Sequence, residues 1–403
     1  MKNLYLLLND VQTALLKENK KNTFKRDIYT KINWNENSLW LIWERGVWKT
    51  TIMLQRINER KSGFYFSADN PWILDVSLFK FVYYLHKELE IKEFYIDEIH
   101  KYPEWTVQIK SLIDSIPNVK IIFSGSSSLD LFKWILDLWR RVSFYKIYTL
   151  NFKEYLKLFY KEDIPSFSLD EILKNHEKIA LNYWNFYWEE KWNKFIINWQ
   201  YPYWSGLDNY WFNIRFKNLL DKIILEDIPI FLNMQTNSLD KIRKIFYFIA
   251  NSSPSELSFT FLSKKIWIDK SIVENVLVLL NKIWLIHLIP KFWDLSTRVR
   301  KEYKILLWNT NLYSAYNIST DIWTLRESFI LSVFNKIENS EVFLPKSWDF
   351  ILNTLEKKYT FEVWWKSKNK KQIYNIKNSF VVWDNIVVWD KNKIPLWLFW
   401  LIE

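Results

Sequence analysis

The stretch Trp43-Glu44-Arg45-Gly46-Val47-Trp48-Lys49-Thr50 ends in a Lys-Thr pair of the kind that closes a phosphate-binding loop. In such a loop, backbone N–H groups and the start of the following helix face phosphate oxygens. The lysine reaches the outer phosphates and the threonine hydroxyl reaches Mg²⁺. The pattern needs glycine at its first and sixth positions, and here those positions hold Trp43 and Trp48. An indole at 48 would occupy phosphate space, so the loop taken literally is a dead site. With glycine at both positions it becomes G-x-x-x-x-G-K-T. Residues 43–48, Lys49, Thr50 and Thr51 then form the expected nucleotide-binding set.

Three further stretches carry chemistry that suits this loop. "FYIDEIH" is an apolar run ending in Asp97-Glu98, the arrangement in which the first acid holds Mg²⁺ with Thr50 and the second polarises an attacking water. It lies about fifty residues after the loop, with one strand–helix unit between, which is the expected separation. "IIFSGSSS" ends a third apolar run in hydroxyls, and Ser124 or Ser126 is placed to sense a terminal phosphate. "LDLWRRVSF" supplies Arg140 or Arg141 as a candidate arginine finger, from this chain or a neighbouring copy. The plain alternatives are a serine-rich turn for the first of these two stretches and surface arginine for the second, where the finger is the favoured reading.

The composition explains the tryptophans. The 403 residues contain 26 Trp and 4 Gly, whereas ordinary usage predicts about 28 glycines in a chain of this length. The tryptophans also stand where glycine belongs. Trp267 and Trp284 fall where helices should stop, Trp383 and Trp389 end apolar runs before Asp, Trp348 precedes Asp349, and Trp364 and Trp365 are adjacent. Trp105 and Trp397 differ, sitting among apolar neighbours at packing positions. The expectation is that most Trp letters represent UGA codons that the source reads as glycine. The alternative is a genuinely Trp-rich protein.

The remaining composition bounds the class. A formal charge of +11 favours an anionic partner, or reflects a lysine-rich surface of AT-rich coding origin. The chain has no cysteine, which excludes thiolate metal sites and disulfides and suits a reducing, cytoplasmic compartment. The four histidines show no metal-ligand spacing. The first residues read as an amphipathic helix rather than a signal peptide, and no apolar run is long enough to cross a membrane.

These stretches need elements to position them. The stretch "SLWLIWERGVWKTTIMLQRINER" reads as apolar strand, loop and helix, and apolar strands at 62–70, 93–100 and 119–128 then alternate with helical spacing at 77–89 and 104–116, which predicts a parallel sheet with helices on its faces. Residues 165–235 read as helical and aromatic. Around 259–282 a helix, a turn at Trp267-Ile268-Asp269 and a second helix are followed by a strand pair, the pattern of a winged helix. Beyond about 311 come a helix around "WTLRESFILSVFNKI" and short strands "DFILNTL", "KYTFEV", "SFVV" and "NIVV".

With Trp read as Gly, "LIWERGVWKTTIMLQ", "YIDEIHKYPEWTVQIKSLID", "FSGSSS", "WRRVSFYKIYTLNFKEYL" and "NWQYP" resemble a large prokaryotic family of AAA+-type P-loop ATPases. Its members carry a winged-helix module and a C-terminal domain similar to PD-(D/E)xK nucleases, of unknown function. The resemblance covers nearly the whole chain. It implies an α/β fold class: a parallel-sheet P-loop NTPase (AAA+) core over 1–165, a helical lid over 166–238, a winged helix over 239–310 and a small α/β nuclease-like domain over 311–403. It also implies ATP and Mg²⁺ as cofactors, with Lys49, Thr50, Asp97, Glu98, Ser124 and Arg140 in the roles given above. At the C-terminal end, Glu327, Asp349, Glu362 and Lys366 fall where the acids and lysine of a nuclease fold gather. The residue two after Glu362 is Trp364, where a catalytic lysine should stand, so a non-cleaving domain is the expectation.

The functional expectation is an enzyme, an ATPase that couples hydrolysis to conformational change, provided positions 43 and 48 are glycine. DNA is the expected partner, through Lys270, Ser271 and Asn275 of the winged helix and the basic run "KSKNKKQIYNIK", and self-association is a further one. Two other classes stay open: a nucleotide-gated switch with little turnover, and a metal-dependent nuclease.

Overall fold

The computed structural model describes residues 1–42, 44–125, 138–186, 189–202, 208–228, 237–252, 256–292, 302–315, 321–345, 347–364, 377–384, 386 and 393–402. The chain divides into two compact units, Met1–Thr149 and Leu150–Glu403.

The first unit opens with helix α1 (Lys2–Asn19) and the short α2 (Ile28–Lys31). Strand β1 (Ser38–Ile42) then enters α3 (Lys49–Arg60), and β2 (Phe64–Ser67) follows. Helices α4 (Pro71–Leu74) and α5 (Leu78–Leu89) precede β3 (Glu93–Asp97). The unit continues through α6 (Trp105–Ser115) and β4 (Lys120–Gly125) to β5 (Ser143–Lys146). The five strands form one sheet in the order β2-β3-β4-β1-β5, and every pair is parallel. Strands buried on both faces read as unbroken apolar runs, which is why "SLWLI", "FYI" and "KIIF" carried no alternation.

The order matters for chemistry. β4 lies between β1 and β3, with Leu41 in register with Ser124 and Ile42 with Gly125. The carboxyl ends of three strands therefore bring the loop after Ile42, Ser124 and Asp97 to one edge of the sheet, where α/β sheets place their ligands. Beneath that edge Trp40 is enclosed by Trp105, Phe123 and Phe144 at centroid distances of 5.1, 5.4 and 5.3 Å. The expectation that Trp105 packs in a core is met: it is buried, edge-on to Trp40.

In the second unit the helices Phe259–Ile266 and Lys270–Lys282 are joined by a turn at the expected place. Strands β6 (Glu256–Ser258), β7 (Ile286–Pro290) and β8 (Glu302–Leu307) form an antiparallel sheet in the order β6-β8-β7. β6 was not foreseen in the sequence. A second sheet runs β13-β12-β11-β10-β9. It comprises β9 (Glu341–Phe343), β10 (Phe350–Asn353), β11 (Lys358–Trp364), β12 (Ser379–Trp383) and β13 (Lys393–Pro395). Strands β9 to β11 are antiparallel, whereas β11, β12 and β13 are parallel. The strand expected at "NIVV" lies almost wholly outside the described residues.

The chain end is built into this unit. The 3₁₀ turn Leu396–Leu401 is buried, and Trp400 stacks on Trp192 at 3.6 Å and meets Phe152 at 4.5 Å. The Phe167 N–H donates to the Leu401 carbonyl (2.8 Å), and Lys357 and Tyr359 both donate to Asp170. Residues 150–200 therefore share one core with the C-terminal strands.

Three tryptophans have a backbone that bulky residues avoid. Trp48, Trp267 and Trp284 stand at φ 70°, 59° and 57°, in the left-handed region. Trp267 caps the helix Phe259–Ile266 in that conformation and is 90% exposed, so no packing compensates for its backbone.

His287 on β7 is buried as a neutral ring. It donates to the Trp308 carbonyl (2.9 Å) and stands 3.2 Å from the Asn335 amide nitrogen, which suits the tautomer protonated at Nε2. Burial pushes its pKa down to about 3, against the Trp308 carbonyl, which favours the charged form. Because the folded pKa is depressed, the unfolded chain binds the proton first as pH falls below 6.5. The stability that neutral His287 contributes is complete above that value and drains away towards pH 3. The unfolding midpoint measured from about pH 7 to about pH 4 should fall on acidification, and His287→Gln should flatten that dependence. An unchanged slope would remove His287 as the cause.

Candidate nucleotide-binding site

Helix α3 begins at Lys49, directly after the loop, so its first N–H groups and dipole face the sheet edge. Within the loop Gly46 (φ 76°) and Trp48 (φ 70°, ψ 33°) are left-handed, which curls the backbone round into the helix. Trp43 lies outside the described residues. Glu44, Arg45 and Gly46 are half-buried, and Val47 is buried. Lys49 is 5% exposed, and its Nζ folds back to donate to the Glu44 carbonyl at 2.5 Å. Burial pushes its ammonium down to about 8, while Glu98 and Asp97 favour the charge.

Asp97 is the centre of the site. It is 3% exposed, and both carboxylate oxygens are engaged. Oδ1 accepts from Ser124 Oγ and from the Glu98 N–H (3.0 Å). Oδ2 accepts from Thr50 Oγ1 and from Tyr65 Oη (3.1 Å). Burial raises the Asp97 pKa and Glu98 adds to the rise, while the Ser124 and Thr50 hydroxyls and Lys49 oppose it. The carboxylate thus gathers α3, β2, β4 and its own strand into one hydrogen-bonded cluster. Burial also pushes the Tyr65 phenol pKa up, and the neighbouring Asp97 charge reinforces this, so Tyr65 stays a donor.

Glu98 follows β3 in a left-handed turn (φ 49°), which turns its half-buried side chain away from the strand direction. Its N–H also stands 3.3 Å from Ser124 Oγ, and its carboxylate lies 3.5 Å from His100 Nε2. Thr51 is half-buried in the first turn of α3. The structure therefore brings together Lys49, Thr50, Asp97, Glu98 and Ser124. Ser126 lies outside the described residues.

The arginines have other partners. Exposed Arg140 lies over the Trp139 ring at 4.9 Å, and Arg141 pairs with Asp114 of α6, Nε to Oδ1 at 2.8 Å. Of the C-terminal candidates, Asp349 and Glu362 come together. β10 and β11 pair Phe350 with Phe361, and Asp349 Oδ2 accepts from the Val363 N–H (2.8 Å). Glu327 instead pairs with Lys304 of β8 at 2.8 Å. Lys366 lies outside the described residues. Among the described residues no three acidic or histidine side chains gather as a metal cluster.

Sequence reasoning missed Tyr65, which sits in an apolar strand and gives no signal of its polar contact. It also missed Arg26, the one arginine in the lysine-rich "NKKNTFKRDIY". Arg26 is buried and donates to the Val47 carbonyl in the loop at 2.9 Å.

A five-stranded parallel sheet with a Lys-Thr loop after β1 and an acidic pair after β3 is a P-loop core of the AAA+ type. One family model agrees with this class over part of the chain. Residues 35–156 match the model of the AAA domain family, and residues 201–321 match a domain of unknown function. An uncharacterized protein of Methanocaldococcus jannaschii is 27% identical over 382 residues, covering 87% of this chain and 80% of its own. Among solved structures, the Aeropyrum pernix ORC1 protein in complex with DNA aligns at TM-score 0.31 and 10% identity, over 74% of this chain and 88% of that one. AMPPCP-bound DnaA from Aquifex aeolicus aligns at TM-score 0.24 and 13% identity, over 68% and 88%. Likeness at this level carries no function to the present chain.

Ser124→Ala would remove one donor from the buried Asp97 carboxylate. Folding stability should fall by about 1–3 kcal/mol, measured by urea denaturation. A loss below about 0.5 kcal/mol would show that the hydroxyl is dispensable to the cluster.

Proposed function

We propose that this protein binds ATP with Mg²⁺ at the Lys49–Asp97 site and hydrolyses it, and that positions 43 and 48 are glycine in the natural protein. The observation that carries the reading is the Asp97 cluster. A hydroxyl one residue after the loop lysine, a strand-end carboxylate and a hydroxyl from the strand between them meet at one point. The hydroxyl and carboxylate oxygens of Thr50 and Asp97 are the hard donors that Mg²⁺ prefers. When bound, the metal would neutralise phosphate charge. Lys49 then leaves the Glu44 carbonyl for phosphate oxygens, and loop N–H groups hold the rest. Glu98, half-buried beside the cluster, orients a water and takes its proton, while Ser124 reads the terminal phosphate.

The glycine reading rests on count and on conformation together. Chain-wide, tryptophan is in excess by roughly the number of glycines missing. Three of the letters stand in left-handed backbone, two of them at helix boundaries. An indole at 48 would sit in the loop that must approach phosphate closely, and here its ring lies 6.0 Å from Phe24. Mass spectrometry of the natural protein across residue 48 should give the mass of a glycine-containing peptide. A tryptophan mass there would sink the reading.

The second unit takes the output. The helices Phe259–Ile266 and Lys270–Lys282 and the antiparallel sheet support the reading of a winged helix, in which exposed Lys270, Ser271 and Asn275 would face DNA phosphates and bases. Asp349, which accepts from the Val363 N–H, and Glu362 of β11 fit a nuclease-like domain that does not cleave, because position 364 holds no lysine where the catalytic one is required.

The glycine-bearing protein should show Mg²⁺-dependent ATP hydrolysis. Glu98→Gln should lower kcat by about 10²-fold or more while binding ATP as well as its parent. Equal rates for the two proteins would leave only the reading of a nucleotide-gated switch.

A further inference from the structure

The phosphate loop is held from behind by a residue outside every nucleotide motif. Arg26 precedes α2 and is 4% exposed. Its Nη1 donates to the Val47 carbonyl (2.9 Å), and its Nη2 donates to the carbonyls of Tyr148 (2.8 Å) and Thr149 (3.3 Å). The approach is built rather than incidental. The Phe24 carbonyl accepts from buried Gln55 of α3 (2.7 Å), which pins the segment carrying Arg26 against the helix that follows the loop.

Two consequences follow from elementary chemistry. Val47 C=O belongs to the peptide that supplies the N–H of residue 48. In a trans peptide these groups point opposite ways. A cation bonded to the carbonyl polarises the peptide and strengthens the N–H on the far side, the side on which a phosphate loop meets its anion. The same guanidinium holds the stretch after β5. Ile147 continues β5 by donating to the Ile42 carbonyl (2.8 Å), and Thr149 is the last residue of the first unit. One planar fork therefore joins the loop to the point where the chain leaves the unit, a task that needs a guanidinium rather than an ammonium.

We propose that Arg26 is a positioning residue that sets the phosphate loop from its carbonyl side and links loop occupancy to residues 147–149. This rests on the nucleotide reading of the site and adds a route by which occupancy reaches the second unit.

The test uses the full chain with glycine at 43 and 48, a fluorescent ATP analogue with Mg²⁺, and trypsin, with cleavage read at the bond after exposed Lys146 at the end of β5. In the parent protein, saturating nucleotide should slow that cleavage several-fold. Arg26→Met should weaken nucleotide binding about ten-fold, from the loss of a charged hydrogen bond, and abolish the protection even at saturation. Arg26→Lys should recover much of the affinity, because the charge returns, but not the protection, because the fork does not. It carries the test alone if Arg26→Met fails to fold. Arg26 variants that bind within about two-fold of the parent and keep its nucleotide-dependent protection would overturn the proposal. A parent protein that binds no nucleotide would bring down the nucleotide reading and this proposal with it, whereas binding without any protection at Lys146 would bring down this proposal alone.

Discussion

The buried carboxylate of Asp97 is the constraint on which the first unit turns. A carboxylate removed from water must be surrounded by donors or lose its charge, and here each of its oxygens has two. Those donors come from α3, β2, β4 and the chain just after β3. Satisfying one side chain thereby fixes the relative height of three strands and the helix that closes the phosphate loop. The arrangement that solves a desolvation problem also groups two oxygens and a lysine, the set on which the proposed anion and metal site rests. Stability and chemistry share the same hydrogen bonds, so the site is preorganised by the core rather than added to it.

The tryptophans follow the opposite logic. A buried indole such as Trp40 or Trp105 is enclosed by other rings. Trp267 has a left-handed backbone and is almost wholly exposed. The first pattern follows from a side chain that gains by burial, and the second from a backbone region that glycine adopts most readily. One letter is doing two physical jobs in this chain, and the loop position Trp48 belongs with the second.

Much of the first unit was legible because its signals are local. Unbroken apolar runs mark strands buried on both faces, the Lys-Thr loop marks a strand-to-helix turn, and Asp97-Glu98 at a strand end marks an acidic site. The helix–turn–helix at 259–282 was legible for the same reason, since a turn residue between two apolar periodicities is a near-neighbour pattern. The C-terminal acids were less so. Glu327 was grouped with Asp349 and Glu362 by type and order, but a lysine on β8, remote in sequence, takes it as a partner. Ion pairing between distant elements leaves no trace in spacing.

The sequence by itself determined most of the element types, the phosphate loop, the acidic pair and the abnormal counts of glycine and tryptophan, because each is written in neighbours or in counts. Only the tertiary structure decided that β4 lies between β1 and β3. That insertion puts Ser124 on Asp97, and a residue's partner across a sheet depends on strand order rather than on chain distance. It alone revealed Tyr65 as a donor and Arg26 as the support behind the loop. A phenol in an apolar strand and an arginine among lysines become informative only when folding removes them from water and obliges them to find partners.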